Sequence, residues 1–125
     1  MDKKYLRLND IDAYKRAYTL SNLVSDIVIG WNYFARDTVG KQFTRSIDSI
    51  SANIAEGFGR YTKKDKIKFY RIGKGSLKES LDWNEKSKAR GLISEENHDV
   101  IIKELKEIEL EINQLIKFTN ERLKI

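Results

Sequence analysis

The chain has 125 residues, of which 40% are hydrophobic and 34% charged, and 24 Lys and Arg outnumber 19 Asp and Glu. It contains no cysteine, which excludes disulfides, thiol nucleophiles and cysteine-based metal sites, and its one histidine cannot form an imidazole pair. No apolar run reaches the roughly 18 residues of a membrane span, and the first residues lack the apolar core of a signal peptide. We therefore predict a cytoplasmic protein that has no membrane contact.

The first half of the chain carries two segments with helical spacing of apolar residues. The first covers about 9–35, where apolar positions recur three or four residues apart as far as Phe34. The second covers about 37–57, with a stripe of valine, phenylalanine and isoleucine. Gly57 and Gly59 follow, and the backbone freedom of glycine predicts that they end the second helix.

The second half carries two further helical segments, over about 63–90 and about 95–123. Thr62 and Ser94 precede them, and both residue types cap helices by accepting a backbone N–H. Gly73 and Gly75 interrupt the third segment, where we expect them to permit close approach of a neighbouring backbone.

Four helices of similar length with short connections predict an all-α fold. No strand alternation, linker or internal repeat divides the chain. The expected structure is a single domain over residues 1–125, an antiparallel up-down-up-down four-helix bundle with a left-handed supercoil.

The excess positive charge lies in one stretch, residues 60–74, which has seven basic side chains against a single acidic one. Cations of this kind neutralise phosphates, and aromatic rings interleaved with them can stack on unpaired bases. The alternative is a solvated helix face with the rings turned into the core. The candidate nucleic-acid-binding residues are Arg60, Lys63, Lys64, Lys66, Lys68, Arg71 and Lys74.

Four polar residues lie on or beside the apolar stripes of the second and third helices, namely Asn53, Glu56, Ser76 and Glu79. Two carboxylates could work as acid and base, but no set of nucleophile, base and orienting group can be assembled around them. We interpret the four as a structural polar network that fixes helix register. A single histidine, His98, supplies only half of a bundle metal site, so we predict no catalytic residue, no metal and no cofactor.

The first helix carries more apolar surface than one core stripe requires. The additional residues are Tyr14, Tyr18, Leu23, Val28 and Ile29. A surplus apolar face that contains aromatic rings is typical of an interface, so we expect the protein to self-associate.

Several separated motifs give the sequence a family resemblance. They are Asn53-Ile54-Ala55-Glu56-Gly57-Phe58-Gly59-Arg60, the upstream Gln42-Phe43-Thr44-Arg45-Ser46, Gly75-Ser76-Leu77 with Glu79, and Ala89-Arg90-Gly91-Leu92-Ile93. With these motifs the chain resembles the four-helix-bundle proteins called 23S rRNA intervening-sequence proteins. It is also similar to the accessory variability proteins of diversity-generating retroelements.

The resemblance implies a bacterial cytoplasmic protein, often encoded within a ribosomal RNA gene, without enzymatic activity or a small-molecule substrate. It also implies a basic pentamer that binds nucleic acid and a nucleic-acid-processing protein. Together with the basic stretch, it leads us to expect a non-enzymatic homo-oligomer that binds structured RNA or a nucleoprotein partner through the third helix. The alternative is a protein–protein interaction scaffold that does not bind nucleic acid.

Overall fold

The structure, a computed structural model, describes residues 7–125. All regular structure in this part of the chain is helical, which confirms the predicted all-α class. After a 3-10 turn at Leu8–Asp10, the helices are α1 (Asp12–Val28), α2 (residues 33–58), α3 (Lys63–Ala89) and α4 (Glu95–Arg122). Between residues 7 and 125, no helix combines the length and apolar character needed to cross a membrane.

Helix α2 is made of three consecutive pieces. A short α-helical turn, Tyr33–Ala35, leads into a π-helical segment, Arg36–Gly40, and the α-helix resumes as Lys41–Phe58. The backbone angles at both junctions are right-handed helical, so the three pieces form one continuous rod.

Helix α1 ends at Val28, well before the predicted boundary near residue 35. The Asn32 side chain accepts the Ala35 backbone N–H at 3.0 Å and so begins a new helix. Phe34, expected on the buried stripe of the first helix, instead belongs to α2 and is 76% exposed. The apolar spacing continued across the turn, but the capping asparagine determines where the helix breaks.

The caps predicted for α3 and α4 are confirmed. The Thr62 and Ser94 hydroxyls each accept the backbone N–H three residues further on, at 3.1 Å and 3.0 Å. Helix α3 ends just before Gly91, whose φ of 70° lies in the left-handed region that glycine tolerates. These local signals fix both ends of α3 and the start of α4.

Consecutive helices pack against each other, and α1 also contacts α4, which closes the bundle. Pairing between α2 and α3 is antiparallel, because Ser46 contacts Ser80 while the later Ser49 contacts the earlier Ser76. The core between the helices contains large aliphatic and aromatic side chains that are nearly inaccessible to solvent. They include Leu20, Val24, Phe43, Ile47, Ile50, Ile54, Tyr70, Leu77, Ile101, Leu105, Ile108 and Ile112.

Gly57 has a different role from the predicted one. It lies inside α2 and is buried, and Gly59 at the helix end has an ordinary right-handed φ of −78°. A Cβ on Gly57 would lie 2.6 Å from Cε1 of Tyr70 and 2.9 Å from the Lys66 carbonyl oxygen. Gly57 therefore lets α3 approach α2 closely, and the Tyr70 ring is so enclosed that burial raises its pKa to about 12.

Candidate nucleic-acid interface

Three of the seven candidate cations form an exposed row on α3. Lys64, Lys68 and Arg71 are spaced four and three residues apart and therefore share one face of the helix. All three are exposed, and none of them makes an ion pair within residues 7–125. We call these three residues the α3 row. It presents three positive charges that the described part of the chain does not neutralise.

Three further candidates are held by local contacts or partly covered. The Arg60 guanidinium pairs with Glu56 at 2.7 Å and lies over the Phe69 ring, 4.5 Å from its centroid. Lys63 donates a hydrogen bond to the Asn120 carbonyl oxygen at 3.1 Å, and Lys74 is half-buried. Of the three, only Arg60 is neutralised by an ion pair within the described part of the chain.

Lys66 points away from the α3 row. Its ammonium donates a hydrogen bond to the Phe58 carbonyl oxygen at 2.7 Å, at the end of α2. Burial lowers its pKa from the ordinary value of 10.5, because desolvation disfavours the charged form. The geometry therefore places Lys66 as a cap for the last turn of α2, where a cation also complements the helix dipole.

Because Lys66 and Lys68 point in opposite directions, we expect alanine substitutions at the two positions to differ in their effect on stability. We expect Lys66→Ala to lower the free energy of unfolding by about 1 kcal/mol, because the Phe58 carbonyl loses a charged donor. Lys68→Ala should change stability by less than about 0.5 kcal/mol, since its side chain is exposed. Urea unfolding followed by circular dichroism measures both values, and equal losses would contradict these orientations.

A groove of about 390 Å³ runs beside the α3 row, between α3 and α4. Its walls carry four basic side chains and two carboxamides above an apolar floor, and none of the described residues that line it is acidic. The lining residues are Lys63, Lys64, Ile67 and Arg71 from α3, and Asn113, Ile116, Lys117 and Asn120 from α4.

The contribution of α4 to this groove was missed by the sequence analysis. Lys117 lies in a helix with a net negative charge, so a count of charges along the chain hides it. The position of Lys117 could have been predicted from the topology. In an antiparallel pair the end of α4 lies beside the start of α3, where the basic stretch begins. That register brings Lys117 to the same surface as Lys64.

The predicted polar network is present between α2 and α3 in a smaller form that centres on Ser49. The Asn53 carboxamide and the Ser76 hydroxyl each donate a hydrogen bond to the Ser49 hydroxyl, at 2.9 Å in both cases. One turn away, Ser80 donates to Ser46, also at 2.9 Å. Hydroxyl-to-hydroxyl contacts therefore connect the two helices at this level of the bundle.

The structure does not bring Glu56 and Glu79 into this network. Glu56 is exposed and pairs with Arg60 on its own side of the helix. Glu79 is also exposed, accepts a hydrogen bond from the Trp83 indole at 3.1 Å, and lies 3.6 Å from the Arg45 guanidinium. Their charged groups are at the surface because water and arginine solvate a carboxylate better than the serine-lined interface does.

The two glycines of α3 behave differently. At Gly73, a Cβ would lie 3.4 Å from the Asn53 Cβ and from the Ile50 carbonyl oxygen, so the predicted close approach is confirmed. At Gly75 the prediction is wrong, because no described atom of another element lies within 4 Å of such a Cβ.

His98 connects the end of α3 to the start of α4. Its Nε2 lies 2.5 Å from the Glu85 carboxylate and its Nδ1 lies 3.0 Å from Asp99. The Asn84 carboxamide donates to the His98 carbonyl oxygen at 3.1 Å. In residues 7–125 no group of three or more potential ligands is placed to hold a metal ion. The contacts of His98 with Glu85 and Asn84 connect α3 to α4.

Helix α1 exposes less apolar surface than the sequence predicts. Tyr14 and Leu23 are half-buried against the core and Val28 is buried, because the core takes a wider stripe of α1 than one row. Tyr18 and Ile29 remain exposed.

Ile29 belongs to an apolar patch at the turn from α1 into α2. The patch consists of Ile29, Tyr33 and Phe34, which are 69%, 73% and 76% exposed. Ile29 and Tyr33 both line a shallow pocket between the two helices, so they are neighbours in space as well as in sequence. We call these three residues the turn patch.

Four packed helices with a groove between α3 and α4 define a helical-bundle protein. The model of the 23S rRNA-intervening sequence protein family matches residues 9–114, and the chain belongs to this family.

The solved structures include one with the same fold, a protein of unknown function from the S23 ribosomal protein family of Bacteroides thetaiotaomicron. The two superpose with a TM-score of 0.75 at 21% sequence identity, over 84% of this chain and 95% of that chain. Among curated proteins, none matches the chain.

Proposed function

We propose that this protein is a non-enzymatic, cytoplasmic, homo-oligomeric bundle that binds structured RNA, alone or within a nucleoprotein partner, through the basic face of α3. The observation that carries the proposal is the α3 row, three exposed cations without an ion pair among the described residues. Such charges gain binding free energy when they neutralise phosphates, because condensed counterions are released.

Membership of the 23S rRNA-intervening sequence protein family is consistent with an RNA partner. The positions of the carboxylates support a non-enzymatic function, since Glu56 and Glu79 form surface ion pairs with Arg60 and Arg45. A general acid or base is instead expected in a recess that shifts its pKa.

Charge reversal on the α3 row tests RNA binding directly. We expect Lys64→Glu with Lys68→Glu to weaken binding about tenfold or more at low salt, whatever the RNA sequence, because two phosphate contacts become repulsions. Helical content should not change, since both side chains are exposed. The control is Lys103→Glu with Lys106→Glu on the acidic α4, which alters the net charge equally. If both double variants weaken RNA binding equally, the affinity depends only on the net charge of the protein and not on the α3 row.

Self-association is supported by the turn patch, since large apolar side chains with this exposure are typical of an interface. We expect the wild-type protein to be oligomeric at micromolar concentration in light scattering, with a pentamer as the expected state. Ile29→Asp with Phe34→Asp should produce monomers that stay folded, because neither side chain is buried. A monomeric wild-type protein would contradict the proposal.

The alternative is a protein-interaction scaffold without nucleic-acid binding, and the turn patch is the observation that favours it. The two functions differ in one result. A scaffold would assemble through the turn patch and show no salt-dependent affinity for RNA, even at low ionic strength.

A further inference from the structure

The groove between α3 and α4 has the features of a binding site that extends beyond the α3 row. Its two walls come from different helices, and the hydrogen bond from Lys63 to the Asn120 carbonyl oxygen holds them together. The antiparallel register set by this bond places Arg71 near Asn113, two turns further along the groove. A ligand in the groove would therefore contact both helices at once.

Charge along the groove favours an anion. Lys64 and Arg71 lie on the α3 wall and Lys117 on the α4 wall, and none of the three forms an ion pair within the described residues. Cations on both sides of a groove can contact the same phosphate from two directions, which a single row on a convex helix cannot do.

The remaining lining residues suit the other parts of a nucleotide. Asn113 and Asn120 each carry a carboxamide that can donate and accept, as needed for a ribose hydroxyl or a base edge. Ile67 and Ile116 form an apolar floor against which a ribose or the face of a base can pack. A free inorganic anion would make no use of either feature.

The volume of the groove favours a single RNA strand over an RNA duplex as its ligand. A volume of about 390 Å³ lies near the lower end of the range for small-ligand pockets, about 300–1,000 Å³, and suits about one nucleotide. In a duplex the bases are stacked and paired, so no single base can leave the helix to enter the groove. An unpaired nucleotide can present phosphate, ribose and base together.

We infer that the α3–α4 groove binds an unpaired nucleotide of an RNA strand, with its phosphates at Lys64, Arg71 and Lys117. The ribose and base would lie at Asn113 and Asn120, above the isoleucine floor. This inference rests on the proposed RNA-binding function. It adds that recognition favours unpaired segments and requires α4, whereas Lys68 lies outside the groove and contributes charge alone.

The experiment compares single substitutions in the full-length protein, with fluorescence anisotropy on labelled oligouridine of about 12 nucleotides, a matched RNA duplex and uridine monophosphate. We expect the single strand to bind about tenfold or more tightly than either other ligand. Lys117→Gln should lower its salt slope by about 0.7, the value for one phosphate contact on a single strand. Asn113→Ala should weaken the single strand several-fold without changing the salt slope, because it removes a hydrogen bond and no charge.

Lys106→Gln is the matched control for Lys117→Gln. It removes the same charge from the same helix about 16 Å away, outside the groove, and should leave the salt slope unchanged. If the single strand binds but Lys117→Gln and Lys106→Gln have the same effect, the groove inference is wrong while RNA binding stands. Tighter binding of the duplex, or equal binding of the mononucleotide, also overturns the inference. If neither RNA binds at low salt, the proposed function itself fails.

Discussion

Gly57→Ala adds one methyl group, and we expect it to lower the free energy of unfolding by about 3 kcal/mol or more. This is the largest loss of stability that we predict. The added Cβ would lie 2.6 Å from the Tyr70 ring and 2.9 Å from the Lys66 carbonyl oxygen. The ring is fully buried, and the carbonyl belongs to the backbone of α3, so neither can move without separating the two helices. Overpacking of this kind typically costs about 1–3 kcal/mol, and more where the backbone must shift.

Gly75→Ala is the matched control. This glycine also lies in a helix, but no described atom of another element would contact its Cβ, so the substitution meets open space. Alanine is the better helix former by about 1 kcal/mol, and we expect Gly75→Ala to be neutral or stabilising. Thermal unfolding of both variants measures the difference. Similar melting temperatures would show that the contact between Gly57 and Tyr70 does not limit the approach of α2 and α3.

His98→Gln is expected to lower the free energy of unfolding by about 1–2 kcal/mol at about pH 5.5 and by less at higher pH. Burial of the ring alone lowers the pKa of His98, but its hydrogen bonds to Glu85 and Asp99 outweigh burial and raise the pKa above 6.5. Both carboxylates are more than half exposed, and this exposure keeps the expected value in the lower part of the range for charged hydrogen bonds.

The sign of the pH dependence follows from the raised pKa. A group whose pKa is higher in the folded state stabilises that state fully below its unfolded pKa, near 6.5, and this contribution disappears as pH rises through the folded pKa. The difference between wild type and His98→Gln should therefore shrink as pH rises above about 6.5. Urea titrations at several pH values measure it. If the difference in unfolding free energy between the two proteins grows with pH, the folded state holds the His98 ring in its neutral form.

The sequence was sufficient to predict the helical class and the family. The apolar spacing is regular over long segments, and Thr62 and Ser94 are strong capping residues in the expected places. The end of α1 was misplaced because Trp31 and Phe34 happen to continue the apolar spacing through the turn. Local capping at Asn32 outweighed that periodicity.

The candidate site was less predictable because it depends on pairs of residues distant in sequence. Nothing in the local sequence distinguishes Lys66, which turns inward to the Phe58 carbonyl, from Lys68, which faces solvent. Lys117 joins the basic groove only through the register of α3 against α4. Gly57 was assigned to a helix end because its contact with Tyr70 is likewise visible only in three dimensions.

The π-helical segment Arg36–Gly40 has a consequence for how members of this family can differ in length. A π-helical turn holds one more residue than an α-helical turn, and each α-helical residue rotates the chain by about 100°. Because the π-helical turn already contains this extra residue, its deletion would restore a regular α-helix with nearly the same total rotation, and Tyr33 and Phe34 would stay on the same side of α2. The serine contacts with α3 lie downstream and would keep their register. This segment can therefore absorb a one-residue change in chain length, because both the aromatic residues before it and the serine contacts after it keep their orientation.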